Sequence, residues 1–96
     1  MKRDPVTGFE YPFYIVTADV WNPKTEDYDG KVLANVQTYE EAVSMVKKIP
    51  VNADTVQVEI IEDGYEEEEV VAIKVAVTDN PSGYDFYDPR TDDLIP

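Results

Sequence analysis

The sequence predicts a small α+β fold, a mostly antiparallel sheet with one helix packed on one face, in ββαββ order. Three observations carry that expectation. Residues 12–21 and 55–62 are rich in β-branched and aromatic side chains, the composition of strands. Thr38 and Glu41 stand at capping-box spacing ahead of an apolar stripe of helical period. Pro and Gly punctuate the segments between these runs. Ninety-six residues suffice for one domain and not for two. A core can be filled from 43% apolar residues, among them one Trp, seven Tyr and three Phe.

Residues 12–21 (PFYIVTADVW) place apolar side chains at both alternation phases over 13–16. That pattern reads as a strand covered on both faces, hence central in its sheet. Asn22-Pro23 breaks it, and the polar stretch 24–30 is expected as a loop. Residues 31–36 (KVLANV) read as a short second strand pairing with the first. Thr38 then starts a helix: its hydroxyl accepts from an orphan amide while Glu41 reaches back. Tyr39, Ala42, Val43, Val46 and Ile49 make the buried stripe. Glu40 and Glu41 sit at the positive end of the helix dipole and Lys47 and Lys48 at the negative end. Pro50 stops the helix.

A long β-hairpin follows. Residues 55–62 (TVQVEIIE) alternate, with Val56, Val58 and Ile60 on one face. Residues 69–78 answer with Val71, Ile73, Val75 and Val77 on one face and Val70, Ala72, Lys74 and Ala76 on the other. Asp63-Gly64 supplies turn chemistry between them. The domain is expected over residues 1–79, and residues 80–96, without a sustained period, as an extended acidic-aromatic tail.

Charge is the outlying property. Twenty-one Asp and Glu against eight Lys and Arg give a net charge of −13. Residues 1–49 carry six bases and eight acids, a net of −2; residues 50–96 carry two and thirteen, a net of −11. This balance excludes a protein that binds nucleic acid through its own basic patch, and argues against docking on anionic membranes. Apolar runs of at most four residues, such as 70–73, are too short to span a bilayer. With no targeting signal visible either, a soluble cytoplasmic protein is expected.

With no Cys and no His, disulfides, thiolate zinc sites and imidazole chemistry are excluded. Ser44, Ser82 and the threonines have no His to activate them. Lys47, Lys48 and Lys74 show no sequence sign of the burial a lysine base needs. Asp19 beside Trp21 reads as a strand acid facing solvent. The expectation is a non-enzyme without cofactor or metal. The 25–29 loop misses a calcium loop at both diagnostic positions: Thr25 stands where the first Asp belongs and Val36 where the bidentate Glu belongs.

Three clusters remain as candidates for partner binding. The hairpin tip holds Glu62, Asp63, Glu66, Glu67, Glu68 and Glu69. It reads either as a solvated turn that protects a hairpin edge or as a negative knob that competes with a phosphate backbone. Asp27 and Asp29 add charge in the first hairpin loop. Tyr84, Asp85, Phe86, Tyr87 and Asp88 mix aromatic anchors with acids, suited either to covering an open core edge or to docking on a basic partner.

A small, strongly acidic chain without catalytic apparatus resembles the nucleic-acid-mimicking inhibitors carried by phages and mobile elements, including anti-restriction and anti-CRISPR proteins. The resemblance is one of composition over the whole chain and transfers no site residue. It implies an inhibitor that occupies the nucleic-acid-binding groove of a basic partner, such as a nuclease or an effector complex, with no direct contact to nucleic acid. A small acidic structural or adaptor domain from a phage or larger assembly is the other class that fits, since high negative charge also favours solubility by itself.

Overall fold

The computed structural model describes residues 2–79 and 81–96. The strands are β1 (Phe13–Asn22), β2 (Asp27–Val36), β3 (Thr55–Asp63), β4 (Glu68–Ala76) and β5 (Tyr84–Tyr87), with one helix, α1 (Tyr39–Lys48), between β2 and β3. They form a single sheet of order β2-β1-β3-β4-β5 in which every neighbouring pair is antiparallel. The α+β class and the helix follow the sequence expectation. The element order gains a short fifth strand from the segment read as an extended tail.

The helix begins as its capping chemistry dictates. The Thr38 hydroxyl accepts from the Glu41 amide at 3.2 Å and donates to the Glu41 carboxylate at 2.9 Å. Ala42 and Val46 then face the sheet, fully buried against Val16 and Ala18 of β1, Val58 and Ile60 of β3, and Val71 and Ala72 of β4. β1 lies between β2 and β3, as its two-phase apolar pattern predicts. Its second phase is covered only at the start, where the Phe9 and Tyr11 rings lie 6.0 and 5.4 Å from that of Phe13.

Two stretches differ from the sequence expectation. The loop expected over 24–30 contracts to a tight turn, because Asp27 pairs with Asn22 and Gly30 with Asp19. Asn22 closes that turn: its side-chain carbonyl accepts from Lys24 at 3.0 Å, and its main-chain carbonyl accepts from Glu26, which sits at φ 55°. Cross-strand pairing with β1 here outweighs the low strand propensity of Asp and Gly. In β4 the register shifts between Ile60 and Ile61 of its partner, and the extra residue is Val71. That bulge turns Val71 inward beside Ala72 and leaves Ile73 and Val75 on the opposite face, so Val71 does not share a face with them.

β5 pairs with β4, Phe86 opposite Lys74 and Asp85 opposite Val75. Its outer side is covered by the chain end, through Ile95 N–H to the Phe86 carbonyl at 2.8 Å and a bridge between Tyr87 and Leu94. The open edge of the sheet is therefore β2. No helix among the described residues is long and apolar enough to cross a membrane.

Candidate functional site

Strand alternation divides the tip acids between the two faces of the sheet. Glu62 and Glu69 are paired on the helix side, Asp63 and Glu68 on the other. Glu62 accepts from the Tyr14 hydroxyl at 2.8 Å. Burial first, and then this bond, push the Tyr14 phenol up to about 12. Glu69 lies 3.8 Å from Arg90, which also holds Asp88 at 2.8 Å. That guanidinium keeps the Asp88 carboxyl below its ordinary value, chiefly by side-chain hydrogen bonding.

The turn beyond is built on an aromatic brace. Asp63 accepts from the Tyr65 amide at 3.0 Å, and Tyr65, rather than Gly64, takes the left-handed conformation at φ 80°. The Tyr65 ring packs edge-on against Tyr11, centroids 5.1 Å apart, and the Lys2 ammonium sits 3.8 Å from its centroid. Glu66, Glu67 and Glu68 are exposed and make no ion pair among the described residues.

Asp27 and Asp29 do not join this cluster. They pair with the far end of β1, whose start faces Asp63, so roughly nine residues of strand, about 30 Å, separate them from the tip. Asp29 accepts from the Asn22 side-chain amide at 2.9 Å and Asp27 from the Tyr28 main chain at 2.8 Å. No cluster of three metal-ligating side chains occurs among the described residues.

The aromatic segment is split as well. Phe86 is 5% exposed and belongs to the core, which removes it as a docking anchor. Tyr84 covers the ammonium of Lys74, 4.5 Å from ring centroid to Nζ. Tyr87 and Asp85 fall on the helix-free side, opposite Ile73 and Val75. Asp88 turns to Arg90.

Lys74 itself corrects the sequence reading, which saw no burial there. It is 3% exposed, and its Nζ donates to the carbonyls of Val46, Lys47 and Ile49 at 3.1, 3.4 and 2.5 Å. Burial pushes its amine down from the ordinary lysine value. Its hydrogen bonds serve the helix end, and the Tyr84 ring covers it from β5.

Sequence reasoning missed the helix-free face of the sheet. Its inner rows run Asn35–Ile15–Ile61–Val70, then Val32–Thr17–Glu59–Ile73–Tyr87, then Gly30–Asp19–Gln57–Val75–Asp85, with Tyr28 opposite Trp21 at the end. Trp21 and Tyr28 pack edge to face at 5.1 Å and remain 36% and 42% exposed; Val32 is 64% exposed. The signal that could have found it is alternation in β1, where Ile15, Thr17, Asp19 and Trp21 share one phase.

No family model matches this chain, and no curated protein or solved structure is significantly similar to it.

Proposed function

We propose that this chain is a non-enzymatic, stoichiometric inhibitor that occupies the nucleic-acid-binding groove of a basic partner, a nuclease or an effector complex, in the manner of phage-borne nucleic-acid mimics. One observation supports this reading above the others: against 21 Asp and Glu, the ion pairs among the described residues come from two cations, Arg3 and Arg90, and reach three carboxylates. Arg3 holds Glu10, and Arg90 holds Asp88 and Glu69. Lys2 sits on the Tyr65 ring, and Lys74 is buried on helix carbonyls. A net charge of −13 is thus exported as a field, which steers a basic partner and repels nucleic acid.

Affinity capture from a nuclease-treated cell lysate across a salt series tests the proposal. A mimic captures a nucleic-acid-binding protein, loses it as salt rises, and is displaced by duplex or single-stranded nucleic acid. A captured partner that holds this protein and nucleic acid at once ends the mimic reading. Capture indifferent to salt would favour the adaptor or structural class, for which the half-exposed Ile and Val side chains of the helix-free face also speak.

A further inference from the structure

We infer that the helix-free face of the sheet is a docking surface for a basic amphipathic helix of the partner protein. The inference rests on the reading of the chain as an acidic protein-binding inhibitor, and names the element of the partner that it grips.

Sheets bury their faces against a second layer, and here only one face has it: α1 packs on β1, β2 and β3 from a single side. The other face carries Ile15, Ile61, Ile73 and Val75 in its middle, all partly exposed. Trp21, Tyr28 and Val32 stand along the side that ends in the open β2 edge.

Charge decides the occupant. The strands place Asp19, Glu59, Asp63, Glu68 and Asp85 on this face and not one Lys or Arg. A second copy of the chain would bring two such acid sets together, which like-charge repulsion opposes. Nucleic acid is repelled for the same reason. A helix with an apolar stripe flanked by Lys and Arg satisfies both halves of the surface. Its stripe covers Ile15, Ile73 and Val75, its cations reach Asp19, Glu59 and Asp85, and the Trp21–Tyr28 pair offers a ring face to one of them.

Size agrees. The N-terminal segment covers the Phe13 end, leaving Ile15 to Trp21 free, a run of roughly 20 Å along the strand. That matches about four turns of helix at ~5.4 Å per turn.

The probe is a synthetic helix of about 18 residues built from Leu and Lys with one apolar stripe, beside a peptide of the same composition in scrambled order. The striped peptide is expected to bind at least about tenfold more tightly than the scrambled one. In a two-dimensional amide NMR titration its shifts should centre on Thr17, Asp19, Val32, Glu59 and Ile73. Val32→Lys and Trp21→Ala should each speed dissociation about tenfold, while changing Glu66, Glu67 and Glu69 together to Gln, none of them on this face, leaves dissociation within about twofold. Val32 is exposed enough for its substitution to leave the fold intact, which the remaining amide shifts report. Equal binding of the scrambled peptide, shifts confined to residues 64–69, or dissociation unmoved in both face variants would each overturn the inference. The two proposals fail separately. A partner that grips this face yet binds nucleic acid simultaneously removes the mimic reading and keeps the docking surface. A partner displaced by nucleic acid but held through the tip does the reverse.

Discussion

Lys74 of β4 donates from its buried ammonium to the carbonyl oxygen of Val46, one of the last residues of α1, at 3.1 Å. The same group reaches the carbonyls of Lys47 and Ile49. The last carbonyls of a helix have no partner within it, and their partial negative charge favours a cation. Lys74 thus ties the end of the helix to the sheet. Replacing it with Met keeps the length of the side chain but takes this donor from the Lys47 and Ile49 carbonyls and leaves that of Val46 with the Ile49 amide at 3.1 Å. Lys74→Met should cost about 1–3 kcal/mol in a urea unfolding curve of unchanged slope. A midpoint equal to the parent's would mean that desolvating the ammonium cancels what its bonds contribute.

Val46 is fully buried where α1 meets the sheet. Val46→Asp puts a carboxylate into this apolar cluster, where the neighbouring Lys74 ammonium is already committed to the helix-end carbonyls, and should cost about 4 kcal/mol, enough to unfold a marginal domain. Thermal unfolding beside the parent decides it: an unchanged midpoint would contradict the phase of the helix.

In acid, Asp88 is held below its ordinary value by Arg90, and Asp4 chiefly by the Thr7 hydroxyl. A depressed carboxylate stabilises the fold above its ordinary value, 3.8, and loses that contribution as pH falls through the lowered one. Between pH 7 and 5.5 these bonds are intact while the self-repulsion of a −13 chain begins to ease. The unfolding midpoint should therefore hold or rise over that interval, rise with added salt, and fall only in stronger acid. A steady loss from pH 7 to 5.5 would contradict this.

In alkali the sign reverses. Tyr14, raised to about 12, contributes stability that is complete below the ordinary phenol value of 10.0 and is lost as pH rises through 12. Tyr14 should be among the last phenols to ionise in a near-ultraviolet absorbance titration, and its ionisation should accompany unfolding. Tyr14→Phe should remove that late phase.

The helix was legible because Thr38 and Glu41 encode its start locally, and the alternation of Val58 and Ile60 encodes the core face of β3 in the same way, whereas Val56, expected beside them, falls at a register shift against β1 and is not in the core cluster. What was not legible depends on pairing. Nothing local marks Val71 as the bulged residue, since the bulge arises from fitting β4 to β3. Asp27, Asp29 and Gly30 are poor strand formers held straight by β1. Lys74 looks like an outward lysine until α1 ends above it. The tip was found as a charge cluster, but its division between two faces and its distance from Asp27 and Asp29 follow from register.

That division shapes the last prediction. Like charges sit directly opposite one another at the tip, Glu62 with Glu69 and Asp63 with Glu68, an arrangement that costs stability. Changing Glu66, Glu67, Glu68 and Glu69 together to Gln removes four charges at nearly constant size. The exposed contact of Glu69 with Arg90, at 3.8 Å, is worth at most about 1 kcal/mol, so stability should hold or improve. Toward a captured basic partner, single substitutions should be weak, because an exposed charge contributes only ~0.2–1 kcal/mol. At ~0.7 kcal/mol each the four together give ~2.8 kcal/mol, about a hundredfold in affinity. Steering acts on encounter, so the loss should appear in the association rate, be largest at low salt and shrink as salt is added. Rates measured at two salt concentrations separate the cases. An undiminished association rate would remove the tip from steering and leave that role to Asp19, Glu59 and Asp85. Faster dissociation in the quadruple variant would place the tip inside the contact itself.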